Sequence, residues 1–205
     1  VSLVENRTPG VLVPQGLYDS NSRNEWLNSS QAPFVSHPEV EEEVIQSAKA
    51  VLLSSGQSDI RSHVERSYPM VQLHSAQAIF TEGVMTEGRY KPSHKMYVGL
   101  FGTHLYLVYL LEGTLQVSNV FTLKSTDDIA YYLLALVDQH SITPEKLEIT
   151  FSGDQSSVEN AMSSLRSYGM ILGAASYPGA YTYSSAFSAI QPYAFYMNYI
   201  PYSCV

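Results

Sequence analysis

An α/β fold, with an antiparallel strand meander leading into alternating helices and strands, is what this sequence predicts, and three observations between residues 96 and 154 carry it. Residues 97–111 are apolar and aromatic with only Gly, Thr and His interrupting; Glu112 and Gly113 supply a tight turn, and residues 115–123 form another β-rich run. Ile129, Leu133, Leu136 and Val137 then follow the i, i+4, i+7, i+8 spacing of a helix face that packs on a sheet. Residues 147–151 are apolar again, and a strand, helix, strand succession argues for parallel pairing through a right-handed crossover.

The ends of these elements are marked by the residues that stop and start them. Ser125 is an N-cap with Asp128 three positions later, a capping-box variant that sets acidic charge at the positive end of the helix. Pro144 prevents that helix from continuing. Ser156 and Glu159 form a second capping box ahead of the stripe Val158, Ala161, Met162 and Leu165, and Gly169 is a natural C-terminal stop. Residues 170–174 supply a fifth strand. A last helix is expected within 184–199, kinked or divided by Pro192, which lacks a backbone donor. The order is therefore βββαβαβα.

Upstream, residues 48–53 and 70–74 have strand character, and 59–67 and 75–85 helical character. Glu39, Glu41, Glu42 and Glu43 are expected in the solvated first turn of a helix after Pro38. Gly88, Lys91, Pro92 and Ser93 have the composition of an exposed connection, so two domains are expected, residues 1–92 and 93–205.

Composition narrows the function. A 45% hydrophobic content over 205 residues supports a real core. A net charge of −8 with only 11 Lys plus Arg and no basic cluster leaves no electrostatic footprint for a phosphate backbone, so nucleic acid is excluded as a partner. The longest wholly apolar run, residues 105–111, is far short of the roughly 20 residues that span a bilayer, so no membrane span is expected. The single cysteine, Cys204, cannot form an internal disulfide, and the start of the sequence lacks the charged and apolar regions of a signal peptide; a cytoplasmic location is expected.

The βββαβαβα order, together with FxxKSTDDIAYYLLALVDQH, the upstream LVPQGLYDSNSRNEWLN and an aromatic C-terminal segment, resembles the DUF3822 family of uncharacterised Bacteroidetes proteins. The resemblance runs through most of the chain and implies an actin-like ATPase fold, a member of the ribonuclease H-like group. None of the matching pieces, among them LVPQGLYD at 12–19 and the paired Tyr131 and Tyr132, is a catalytic motif. A complete actin-like molecule carries a matching meander at the start of its first domain. Here the chain opens on one strand, residues 1–5, so an incomplete N-terminal domain is expected, with its phosphate-binding turn outside this sequence.

In actin-like ATPases a Gly/Thr-rich turn after the first strand of each meander cradles phosphates, and an acid at the strand end holds metal and water. Laying residues 96–108 on that pattern puts Gly99 where the acid belongs and leaves only Gly102 and Thr103 of the turn, followed by His104 and Leu105. The glycine cluster that adenosine approaches after the fourth strand is reduced to Gly153 followed by Asp154. Gly102, Thr103, Gly153 and Asp154 are therefore the candidate residues for a residual nucleotide site, against ordinary turns and loops. Nuclease chemistry on this fold needs carboxylates around two metal ions, one on the first strand, and residues 95–111 contain none; Asp127 and Asp128 suit a helix start. No metal site is expected, since the six histidines have no metal-ligand spacing, and no hydrolase, P-loop or dinucleotide motif occurs.

One further feature stands out. Tyrosines and phenylalanines crowd residues 177–202 with almost no charge, and Tyr193, Tyr196 and Tyr199 recur at near-helical spacing. They either pack on the sheet with hydroxyls to water or form a partner surface, because tyrosine is enriched where interfaces deplete charge. The expected function is that of a non-catalytic actin-like-fold protein acting through a protein partner or self-association, with no cofactor; the alternative is a nucleotide-binding protein with weak or slow ATPase activity that uses ATP and magnesium.

Overall fold

The computed structural model of the chain describes residues 2–5, 9–29, 40–55, 59–88, 93–177 and 182–198, and two compact units divide it, Val1–Glu82 and Gly83–Val205. The first unit holds strands β1 (Ser2–Glu5) and β2 (Val11–Pro14), helix α1 (Arg23–Ser29), strands β3 (Val40–Ile45) and β4 (Ala50–Ser55), helix α2 (Asp59–Ser67) and strand β5 (Gln72–Ser75). Helix α3 (Ala76–Gly88) carries the chain across the division. The boundary expected near Pro92 lies outside the described residues.

In the first unit β1 and β5 pair in parallel, and β2, β4 and β3 form an antiparallel sheet with β4 in the centre. A central strand is buried on both faces, and β4 accordingly sends Val51 and Leu53 to a cluster with Val13, Tyr18 and Trp26, and Leu52 to one with Ile45 and Ala78. The acidic run is a correction: residues 40–45 are strand, not the first turn of a helix. Alternation explains it, since successive side chains in a strand face opposite ways. Glu41 pairs with Arg61, and Glu43 accepts from the Ser75 N–H at 2.8 Å with His74 Nδ1 at 2.7 Å, while the intervening Glu42 pairs with Arg23 at 3.3 Å.

The second unit is one sheet with helices, built from β6 (His94–Phe101), β7 (His104–Leu111), β8 (Thr114–Thr122), α4 (Asp127–Gln139), β9 (Leu147–Gly153), α5 (Gln155–Leu165) and β10 (Ile171–Ala174). The strand order is β10-β9-β6-β7-β8. β6, β7 and β8 are an antiparallel meander, while β9 pairs in parallel with β6 and β10 with β9. This is the five-stranded arrangement the sequence predicts. The β7–β8 turn puts Glu112 and Gly113 at φ 50° and 75°, the left-handed pair that matches the twist of a two-residue hairpin. Val98, Leu105, Leu107, Leu147 and Phe151 from the sheet meet Ile129 and Leu133 of α4 and Val158 and Leu165 of α5 in a single buried cluster. Burying each such side chain stabilises the fold by about 1.5–3 kcal/mol. Among the described residues no helix is long and apolar enough to cross a membrane.

The start of α4 keeps only the acidic arm of the expected cap: the N-cap is Thr126, not Ser125, because α4 begins at Asp127, and its side chain makes no capping bond. Asp128 Oδ2 accepts from the backbone N–H groups of Lys124 at 2.6 Å and Ser125 at 3.0 Å, and Oδ1 accepts from the Ser125 hydroxyl at 3.2 Å. These bonds, the Lys124 amide foremost, hold the Asp128 carboxyl below its ordinary pKa. A carboxyl lowered on folding adds stability above the unfolded value of about 4 and loses it as the pH falls through the lowered folded value. Asp128→Ala should therefore lower the melting temperature at pH 7, and calorimetric scans should show the gap to the parent narrowing as the pH drops below about 4. A gap independent of pH would refute the charge-assisted cap.

The C-terminal segment is divided ahead of Pro192, one of the two outcomes expected there, but its pieces are 3-10 turns and not α-helix, Ser185–Ala189 and Pro192–Phe195. The Ser184 hydroxyl accepts from the Ala186 N–H, and the Tyr177 hydroxyl lies 2.9 and 3.0 Å from the carbonyls of Phe187 and Ile190, so local side chains meet groups that a continuous helix would have bonded along its own backbone.

Candidate functional site

The carboxyl end of β6 and β9 brings together the residues singled out in sequence. The β6–β7 hairpin turns at Gly102, with φ 58°, and Thr103. β9 runs beside β6 with Leu100 opposite Gly153, so the loop into α5 lies against the hairpin. Asp154 donates its N–H to the Leu100 carbonyl at 2.8 Å, and its carboxylate Oδ2 accepts from the Gly102 N–H at 3.0 Å. Gly102 and Asp154, 52 residues apart in sequence, thus share one hydrogen bond.

Gly153 has a structural reason for being glycine. Its φ is 118°, and a Cβ there would stand 1.8 Å from the Leu100 carbonyl oxygen. Thr103 uses its carbonyl to accept the Leu123 N–H at 2.7 Å, and its exposed side chain lies 3.4 Å from His104 Nδ1. Gly99 lies two residues before the end of β6, opposite Tyr106 and Ser152, and presents no side chain. Residues 94–101 contain no acid.

The capping box expected at Ser156 is also corrected. Helix α5 begins one residue earlier, at Gln155, and Asp154 in the N-cap position turns its carboxylate to Gly102 in place of its own helix. Glu159 accepts instead from the Gln155 side-chain amide at 2.8 Å. An open cavity of about 590 Å³ lies alongside, lined by Asp154, Gln155, Ser156, Glu159 and Ala194. An anion entering it would meet two carboxylates, and at the hairpin turn it would compete with Asp154 for the Gly102 amide.

Residues 1–170 match the model of the family described as a protein of unknown function, DUF3822. The chain belongs to the DUF3822 family. Its fold is that of the actin-like ATPases: a Bacteroides thetaiotaomicron protein with actin-like ATPase fold and unknown function is similar at 20% identity and TM-score 0.74, over 85% of this chain and 66% of that one. The DUF3822 chain thus spans just under two thirds of the length of that relative. A chain of the PilM–PilN type IV pilus biogenesis complex is similar at 13% identity and TM-score 0.58, over 100% of this chain and 80% of that one. No curated protein matches.

Of the tyrosines offered either to the sheet or to a partner surface of this DUF3822 protein, the two described ones turn inward. Tyr196 is only 2% exposed, and its hydroxyl donates to the Glu87 carboxylate. Tyr193 packs against the main core cluster, where burial first and then Glu159 raise its hydroxyl pKa. Tyr199 lies outside the described residues. The expected exposed face fails at Tyr196 because Pro192 opens a tight turn that lays this segment on β9, so its rings enter the core instead of lining one side of a straight helix.

Proposed function

We propose that this DUF3822 chain has no ATPase chemistry of its own and works by binding another protein or itself in an assembly. The observation that carries this reading is the Asp154 carboxylate held 3.0 Å from the Gly102 amide, beside a strand that offers Gly99 in place of an acid. A carboxylate already satisfies the turn amide, and a phosphate brought there would face like charge without a β6 acid to place magnesium. ATP with magnesium does not suit these residues. A structural neighbour that occurs in a complex with a second protein supports partner binding, and the net charge of −8 disfavours nucleic acid. The lone cysteine suits a reducing cytoplasm.

The test is phosphate release from magnesium-ATP by the purified chain. We expect a rate no greater than that of a buffer blank. Magnesium-dependent release that disappears in a variant of Gly102, Thr103 or Asp154 would overturn the reading, and saturable ATP binding without turnover would favour the nucleotide-binding alternative.

A further inference from the structure

We propose that the outer face of α4 is a docking surface for a positively charged, arginine-bearing segment of a different protein. This rests on the reading that the chain works through a protein partner, and it names where that partner sits. Tyr131 is 68% exposed on this face. Its inner neighbour is fixed: Tyr132 stacks on Phe121 of β8 at 4.1 Å, and Tyr131 stands edge-on to Tyr132 at 5.4 Å, which leaves the Tyr131 ring ordered on one side and open on the other. Helical spacing sets Asp127, Ala135 and Asp138 on the same face as Tyr131, and all four are exposed.

The two acids have different physical standing. Asp127 lies in the first turn, where the helix dipole favours it. Asp138 lies in the last turn, where the dipole opposes it and where α4 has no basic residue. Folding is therefore served by Asp127 and not by Asp138. Residues 113–145 contain one cation, Lys124, which precedes the helix. Asp127 lies one turn from Tyr131 and Asp138 about 10 Å along the axis on its other side, so the face matches a segment with more than one arginine, one guanidinium on the ring beside Asp127 and another at Asp138, more closely than it matches an apolar or anionic surface.

A second copy of the chain is a poor occupant. It carries −8 net charge and no basic cluster, and Arg23, Arg61 and Lys95 are already paired with Glu42, Glu41 and Glu148. Nucleic acid and anionic lipid would be repelled.

The probe is a synthetic amphipathic peptide bearing three arginines at helical spacing, titrated into the ¹⁵N-labelled full chain, beside the same peptide with glutamate at those positions. We expect amide shifts confined to α4 and the end of β8 with the arginine peptide, weakened by salt, and none with the glutamate peptide. Tyr131→Ser should reduce the affinity about two- to five-fold. Asp138→Asn should also reduce it while raising the melting temperature, because it removes the charge the dipole opposes. A merely structural role would move both in the same direction. Equal affinity for the parent, Tyr131→Ser and Asp138→Asn, shifts located elsewhere, or equal binding of the glutamate peptide would overturn the proposal. ATP turnover would overturn the non-catalytic reading without touching these outcomes, so the two fail separately.

Discussion

Replacing Gly153 by valine should unfold the second unit or lower its melting temperature by well over ten degrees. The reason is backbone, not side chain. At φ 118° a branched residue is strained in itself, and its Cβ would fall 1.8 Å from the Leu100 carbonyl oxygen and 2.5 Å from the carbonyl carbon. No rotamer relieves that overlap, so β9 must part from β6 along the ladder from His94↔Leu147 to Leu100↔Gly153. The cost should be about 4 kcal/mol or more, in the range reserved for the severest single substitutions. Gly102→Ala is the comparison: the neighbouring β6–β7 turn has φ 58° but open space around the missing Cβ, so strain alone should cost about 1–2 kcal/mol. Thermal denaturation followed by circular dichroism checks both. If Gly153→Val melted with the parent, the close approach of the two strands would be incorrect.

The second large effect concerns Tyr196. As a member of an exposed trio it could be changed to serine without thermal consequence; as a ring 2% exposed it cannot. Removing it should cost about 3–5 kcal/mol, as truncation of a buried aromatic does. Tyr196→Phe keeps the ring and loses the bond to Glu87, an exposed residue whose carboxylate water can satisfy, so the cost should fall to about 1 kcal/mol. Tyr131→Ser, on the open face of α4, should stay within about 0.5 kcal/mol. Melts of the three variants should therefore rank Tyr196→Ser far below the other two, and equal melts for Tyr196→Ser and the parent would return that ring to the surface.

The sequence by itself determined the second unit's order and its packing faces. The run of apolar residues from Tyr97 to Leu111, the Glu112-Gly113 turn and the stripe Ile129, Leu133, Leu136, Val137 are local signals, because strand period, helix period and turn conformation are set by neighbours a few residues away. The arm from Asp128 to Ser125 was legible for the same reason. Where local signals competed, sequence misled. Glu41, Glu42 and Glu43 suit a helix start as well as a strand, and the ladder with β4, together with Arg61, Arg23 and the Ser75 amide brought in from other elements, makes the strand the better arrangement.

Tertiary structure alone decided the site. Sequence picked out Gly102, Gly153 and Asp154 separately, yet nothing near Asp154 indicates that its carboxylate would leave its own helix for an amide 52 residues away. That choice depends on the parallel register of β9 against β6, which the chain sets only when the core beneath the sheet closes. The tyrosines followed the same rule: their spacing was visible, but the turn at Pro192 that buries Tyr196 beside Glu87 comes from packing on β9. Local periodicity prescribes which faces are apolar, whereas long-range register decides which polar groups those faces bring into contact, and the polar contacts are where this chain's chemistry resides.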